Sequence, residues 1–141
     1  MDSSVIRIHS HWIEIKLMSI TTVQAAMSGV PLTMLAAVTT GTSAPIAIPP
    51  SFQNHTFMVL AAAGVTAGAI TIETSNDPND TAVWAAIVPD KSVANPLTVS
   101  TADLLIPYSG RLNFVRARVN TTISGGSTPS VTVVYEGAKS Y

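Results

Sequence analysis

The chain has 141 residues, of which 47% are apolar, 11% charged and 6% aromatic. This length suits one domain with an ordinary hydrophobic core, and the apolar content excludes intrinsic disorder. The formal net charge of −1 gives no electrostatic basis for binding nucleic acid or an anionic membrane. The absence of cysteine excludes disulfides, thiolate metal ligands and cysteine nucleophiles. So few charges favour a surface that a partner covers in large part.

The N-terminal residues have the apolar–polar alternation of β-strands, but the isoleucines change from even-numbered to odd-numbered positions. Ile13 and Ile15 alternate with charged residues, which predicts a strand. Ile6 and Ile8 also alternate with polar residues, but in the opposite phase. The phase change near Ser10–Trp12 predicts either a bulge or two separate pairings.

The domain boundary is placed before Met18, where this charged, histidine-rich segment ends. Residues 1–17 are interpreted as an N-terminal arm, about 50 Å long if extended, that reaches a neighbouring subunit. A core strand is one alternative. The other is sequence upstream of the true start, because Met18 would also serve as a start. Residues 18–141 are predicted to form the folded domain.

The first half of the domain contains one short helix candidate, Thr21 to Met27, and two predicted hairpins. Leu32–Thr39 and Ala44–Ile48 form the first hairpin, and His55–Ala62 and Ala69–Ser75 form the second.

The second half continues as short strands separated by turn residues. Strands are predicted at Val83–Val88, Leu97–Val99, Leu104–Ile106, Asn113–Val119 and Val131–Glu136. The fold class is therefore all-β, a single antiparallel β-sandwich or jelly roll of about 8–10 strands with an N-terminal arm. The predicted core includes Ile70, Ile72, Trp84, Val115 and Val133.

Catalytic and metal-binding patterns are weak. His9 and His11 lack an obvious third ligand for zinc, and the loop Asn76–Thr81 lacks the bidentate glutamate of an EF-hand. No Gly-x-Ser-x-Gly elbow is present. We therefore expect no enzyme activity, no metal, no cofactor and no small-molecule substrate.

The one basic cluster consists of Arg111, Arg116 and Arg118. Arg116 and Arg118 fall on the same face of a predicted strand. They either meet acidic groups of a partner, since arginine is favoured at interfaces, or pair inside the domain with Glu73 or Asp103. Both alternatives stay open at this point.

The second half also resembles a known group of proteins. A strand that ends Thr-Ser-Asn-Asp-Pro at residues 74–78 leads to Trp84, and Gly110-Arg-Leu-Asn-Phe-Val-Arg-Ala-Arg-Val119 follows. Gly125-Gly126 and the strand Val131–Tyr135 close the pattern. In this order, the pieces resemble small β-sandwich virion proteins of tailed bacteriophages, over residues 52–137. The turn after Ser75 is longer than the Asp-Gly usual there.

The resemblance implies a virion structural protein, most like a capsid decoration or cement protein on the outer surface of the shell. The expected partners are the major capsid protein, at the joints between capsomers, and the chain itself as a dimer or trimer. The protein would be made in the host cytoplasm and located in the virion. A tail, neck or fibre component is the first alternative, and a non-viral carbohydrate-binding or adhesin-like module is the second. Under the virion interpretation, the expected interface residues are Ile6, Ile8, Trp12, Ile13, Arg116 and Arg118.

Overall fold

Twelve strands and no helix make up the described part of the chain. The structure is a computed structural model that describes residues 23–79, 81–87, 97–100 and 103–139, and for residues 4–8 and 11–15 the strand backbone. The strands are β1 (Ser4–Ile8), β2 (His11–Ile15), β3 (Gln24–Ala25), β4 (Leu32–Val38), β5 (Ile46–Ala47), β6 (Phe52–Ala61), β7 (Ala67–Ser75), β8 (Ala85–Ala86), β9 (Leu97–Thr98), β10 (Leu104–Ser109), β11 (Phe114–Ser124) and β12 (Val131–Lys139).

The strands form three sheets, and the two larger ones make a β-sandwich. Strands β1 and β2 pair with each other in a two-stranded sheet. A four-stranded sheet has the order β10-β6-β12-β4, and a six-stranded sheet has the order β3-β5-β11-β7-β8, with β9 also paired to β7. Pairing is antiparallel except between β3 and β5. The predicted all-β sandwich is confirmed, with more strands than expected.

From β4 to β12 the chain passes repeatedly between the two larger sheets. Successive strands lie in opposite sheets, except that β8 and β9 both stay beside β7. One sheet therefore contains β4, β12, β6 and β10, and the other contains β5, β11, β7 and the short β8 and β9. Eight antiparallel strand positions divided in this way between two sheets are the jelly-roll arrangement.

Both predicted hairpins are wrong, because in each case the two strands belong to different sheets. Strand β4 pairs with β12 while β5 pairs with β11, and β6 and β7 likewise lie in different sheets. A glycine-containing turn reverses the chain equally well within a sheet and between sheets. Pairing with β11 and β12, far along the chain, decides between the two outcomes.

The predicted helix Thr21–Met27 is also wrong in its described part. Gln24 and Ala25 form β3, which pairs parallel to Ile46 and Ala47 of β5. Ala26 continues this contact by donating its backbone N–H to the carbonyl oxygen of Ala47 at 2.9 Å. Tertiary pairing thus outweighs a weak local helix signal.

The N-terminal pair of strands explains the change of phase in the sequence. Ile6 lies opposite Ile13, and Ile8 lies opposite His11, in one continuous antiparallel register. Even-numbered positions of β1 therefore pair with odd-numbered positions of β2. The change of phase thus places the isoleucine positions of both strands on one face. The described strand residues thus form one pairing rather than two, and no bulge interrupts their register. Residues 9 and 10 lie outside the described residues. The predicted boundary before Met18 lies outside the described residues.

The core lies between the two larger sheets. Ile70, Ile72, Val115 and Val133 are at most 3% exposed, which confirms them as core residues. Ten other large side chains are at most 2% exposed: Ile46, Phe52, Phe57, Val59, Val65, Val99, Ile106, Ile123, Val131 and Tyr135. Trp84 is half-buried and is absent from this cluster. Its assignment to the core is wrong, because it lies just before the short edge strand β8 and packs on the outside of the sheet, against Arg116.

Candidate interface on the six-stranded sheet

Strands β7 and β11 bring the predicted arginines next to an acidic residue. In their antiparallel register, Arg116 lies opposite Glu73 and Arg118 lies opposite Thr71. The alternating positions Ile72 and Ala117 point into the core, so the charged positions lie on the outer face of the sheet.

Glu73 accepts both arginines on one oxygen. Its Oε1 lies 3.0 Å from Nε of Arg116 and 3.4 Å from Nε of Arg118. The Glu73 side chain is 8% exposed and that of Arg116 is 12% exposed, whereas that of Arg118 is 45% exposed. The structure therefore pairs both arginines with Glu73 inside the domain, and Arg118 is the more exposed of the two.

Trp84 completes this cluster from the neighbouring loop. The guanidinium carbon of Arg116 lies 4.2 Å from the centroid of the Trp84 ring, which is cation–π geometry. The indole N–H donates to the carbonyl oxygen of Asn79 at 3.0 Å. Arg116 is thus held between a carboxylate and an aromatic ring, which fixes the direction of its side chain.

Polar side chains extend the outer face on both sides of the arginines. The Thr71 hydroxyl donates to the amide oxygen of Asn120 at 2.5 Å. Asn113 donates through its amide nitrogen to Oδ1 of Asn76 at 2.6 Å. An open cleft of about 420 Å³ lies between the end of β7 and the segment that leads into β8. It is lined by Thr74, Ser75, Asn76, Asp77, Ala82, Val83 and Ala85.

The loop after β7 is organised by turn hydrogen bonds. Oδ1 of Asp77 accepts the backbone N–H of Asn79 at 3.0 Å and its side-chain amide at 2.7 Å, which is Asx-turn geometry. Among the residues that the structure describes, no group of three or more His, Asp or Glu side chains is arranged to hold a metal ion. Of the sequence candidates, His9 and Asp80 lie outside the described residues.

A buried polar network that the sequence did not predict lies in the core, under the four-stranded sheet. His55 is 2% exposed, and its Nε2 lies 2.7 Å from the carbonyl oxygen of Gly110. A carbonyl oxygen only accepts, so Nε2 carries the proton and Nδ1 of the neutral ring accepts the Tyr135 hydroxyl at 2.7 Å. Burial raises the pKa of Tyr135 above its ordinary value, which keeps this donor protonated. No local signal in the sequence marks this pairing across 80 residues.

The predicted interface residues divide into two groups. Arg116 and Arg118 lie together on the outer face of the six-stranded sheet. Arg111, the third member of the basic cluster, precedes β11 and has Nε 3.5 Å from Oδ1 of Asn113. For the N-terminal group the structure describes strand pairing alone. The members of this second group are Ile6, Ile8, Trp12 and Ile13. The interface role of both groups stays a prediction.

Comparisons with models of protein families, with curated proteins and with solved structures found no match to this chain. No helix in the described part of the chain is long and apolar enough to cross a membrane.

Proposed function

We propose that this protein is a structural component of a bacteriophage virion, a decoration protein that binds the outside of the capsid shell at capsomer joints and stabilises it. The supporting observation is the convergence of the sequence pieces that carry the resemblance. Strand β7, Trp84 and β11 are separated along the chain, yet they meet in the cluster of Glu73, Arg116 and Trp84. Three of the pieces that carry the resemblance therefore lie side by side on the six-stranded sheet, while the last strand of the pattern, β12, belongs to the four-stranded sheet.

The jelly-roll fold supports the proposal as an analogy. Viral capsid domains and lectins both use this arrangement, and a fold alone does not select one function. The composition adds a physical argument, because a chain with 11% charged residues gains from an assembly that covers its surface.

Arg118 is the residue best placed to contact the shell. Its side chain is 45% exposed, whereas that of Arg116 is 12% exposed. Arg116 is nearly buried, so it acts by positioning the cluster. We expect Arg118 to meet a carboxylate of the capsid protein, since arginine forms bidentate pairs with carboxylates.

Stabilisation would follow from mass action. A protein that binds the assembled shell and not the free capsid subunits shifts the equilibrium towards the shell. Oligomers of the decoration protein contact the lattice at several points, so that each contact can be weak while total binding is strong.

The test is binding of the purified full chain to shells of the phage that encodes it, produced without its gene. We expect tens to hundreds of copies per shell, counted after sedimentation. Arg118→Gln should weaken binding by about tenfold, the value of one interfacial charge contact. Arg111→Gln, an equally conservative change at another exposed arginine, should leave binding unchanged.

Three results would contradict the proposal. Binding at only a few copies per particle would indicate a location in the tail or neck. The absence of binding to shells would contradict a location on the capsid surface. Equal weakening by the Arg111 and Arg118 changes would mean that general charge, and not this cluster, drives attachment.

A further inference from the structure

Asn120 lies at a break in the pairing of β11 with β7. Val119 is opposite Ile70, and Thr121 is opposite Ala69. Two residue steps on β11 therefore match one step on β7, which makes Asn120 the extra residue of a β-bulge. Bulges are over-represented beside functional sites, where they change the direction of a side chain. The direction of the Asn120 side chain therefore matters for what this face can bind.

A hydrogen bond with Thr71 fixes which end of the Asn120 amide faces outwards. The Thr71 hydroxyl lies 2.5 Å from Oδ1 of Asn120. This distance is typical of an O–H···O bond and is too short for an N–H···O bond, so the amide oxygen faces Thr71. Thr71 is 5% exposed, whereas Asn120 is exposed. The amide nitrogen, which donates through two N–H groups, is therefore on the side away from the buried hydroxyl.

Arg118 supplies further donors on the same face. Its register partner on β7 is Thr71, the residue that binds Asn120. Arg118 precedes Asn120 by two residues, about 7 Å along the strand, and its side chain is 45% exposed. Its Nε contacts Glu73 at 3.4 Å, and the other N–H groups of the guanidinium can donate to a partner.

Two neighbouring donors select a partner that offers acceptors. A guanidinium has no acceptor, and the Asn120 oxygen already accepts the Thr71 hydroxyl. A carboxylate is acceptor-only and forms strong, charge-assisted hydrogen bonds with arginine. A second carboxylate or a backbone carbonyl beside it would accept from Asn120. A basic partner surface would offer acceptors to neither group.

We propose that Asn120 forms a second contact with the capsid protein beside Arg118, and that Thr71 positions this contact by fixing the orientation of the amide. The partner surface is acidic, with a carboxylate at Arg118 and another oxygen acceptor at Asn120. This inference rests on the proposed function, because it names the chemistry that the shell supplies to the same face.

The test compares the binding of full-chain variants to shells of the phage that encodes the protein, produced without its gene. Asn120→Ala removes one hydrogen bond and should weaken binding about three- to tenfold. Asn120→Asp keeps the shape and the bond from Thr71 but replaces the outward donor with a charged acceptor. It should weaken binding more than Asn120→Ala does, because like charges then meet at the contact.

The matched control is Asn54→Asp, the same change at an exposed position of β6 in the other large sheet. It should leave binding unchanged at about 0.15 M salt, where distant surface charges are largely screened. Urea unfolding checks that each variant is folded.

Thr71→Val tests the positioning role, because it removes the hydroxyl and keeps the branched side chain. It should weaken binding by about as much as Asn120→Ala does. In the Asn120→Ala background it should have no further effect, since the two residues act through one contact. A general loss of stability would instead weaken binding in both backgrounds, and such additive effects would overturn the role of Thr71.

The remaining outcomes separate this inference from the proposed function. Equal binding by the wild type and Asn120→Asp would overturn the inference, and so would equal weakening by Asn120→Asp and Asn54→Asp. The proposed function would survive either result if Arg118→Gln still weakens binding. A wild type that does not bind shells would contradict the proposed function itself, and this inference with it.

Discussion

The guanidinium group of Arg116 lies over the ring of Trp84, with Cζ 4.2 Å from the ring centroid, while its Nε contacts Glu73 at 3.0 Å. This arrangement connects β11, β7 and the loop before β8 on one outer face. It also explains why Glu73 is 6% exposed although it lies on the side of β7 that faces away from the core.

The Glu73 carboxylate should contribute more to stability than its exposed partner. Glu73→Gln removes the charge between Arg116 and Arg118 and should lower the free energy of unfolding by about 3 kcal/mol, as expected for breaking a nearly buried pair. Arg118→Gln, at a 45% exposed side chain, should cost less than about 1 kcal/mol. Urea unfolding measures both. Equal losses would show that burial does not distinguish the two pairs.

The Tyr135 hydroxyl should make the protein sensitive to alkaline pH. Its pKa is raised in the folded state, so this contribution to stability is complete below the unfolded pKa of about 10. As pH rises past 10, the unfolded chain loses the proton first, and stability falls with a slope that approaches about 1.4 kcal/mol per pH unit.

Tyr135→Phe isolates this effect. At pH 7 it should cost about 1–2 kcal/mol, because Nδ1 of His55 loses the donor at 2.7 Å. Above pH 10 the variant should lose stability less steeply than the wild type. Urea midpoints at pH 7, 10 and 11 are the measurement, and parallel curves for the two proteins would refute the assignment.

Two connections between the sheets meet at glycines. A Cβ at Gly125 would lie 2.7 Å from the carbonyl oxygen of Gly64 and 2.6 Å from the backbone nitrogen of Thr66. Gly125→Ala should therefore lower the free energy of unfolding by about 2 kcal/mol more than Gly41→Ala does. This difference is typical of overpacking. The two glycines have similar φ values, +99° and +113°, but a Cβ at Gly41 meets nothing within 4 Å. Similar losses in thermal unfolding would mean that backbone strain alone accounts for Gly125.

A strained alanine lies in the irregular pairing of β4 with β12. Ala37 has φ +48°, and its N–H donates to the Thr132 hydroxyl at 3.1 Å. Ala37→Gly should raise stability by up to about 1 kcal/mol, because glycine adopts this conformation without the Cβ penalty. The neighbouring Ala36→Gly should lower it by about 0.5–1 kcal/mol. A loss at both positions would contradict the strain argument.

Removal of residues 1–17 should leave a folded sandwich and weaken assembly. The described core residues begin at Ala26, and β1 and β2 belong to neither large sheet. Circular dichroism of residues 18–141 should therefore retain the strand signal, while light scattering shows a lower mass. An unfolded fragment would make the N-terminal segment part of the core.

By itself, the sequence determined the fold class and, in β7 and β11, which side chains face the core and which face outwards. Alternation in β7 and β11 separated Ile72 and Val115 from Glu73 and Arg116, because the period of two in a strand is local geometry. It also indicated that Arg116 and Arg118 share a face, while leaving their pairing with Glu73 as one of two alternatives.

Only the tertiary structure decided which strands are neighbours and on which side of the sheet Trp84 packs. The turns after β4 and β6 look the same in a hairpin and in a connection between sheets, since turn chemistry sets chain reversal but not the distant partner. Trp84 appeared to be a core residue for the same reason. Its large apolar ring favours burial. Its position beside β8 and its contact with Arg116 of β11 instead place it on the outer surface. No sequence pattern within a few residues of Trp84 indicates this contact.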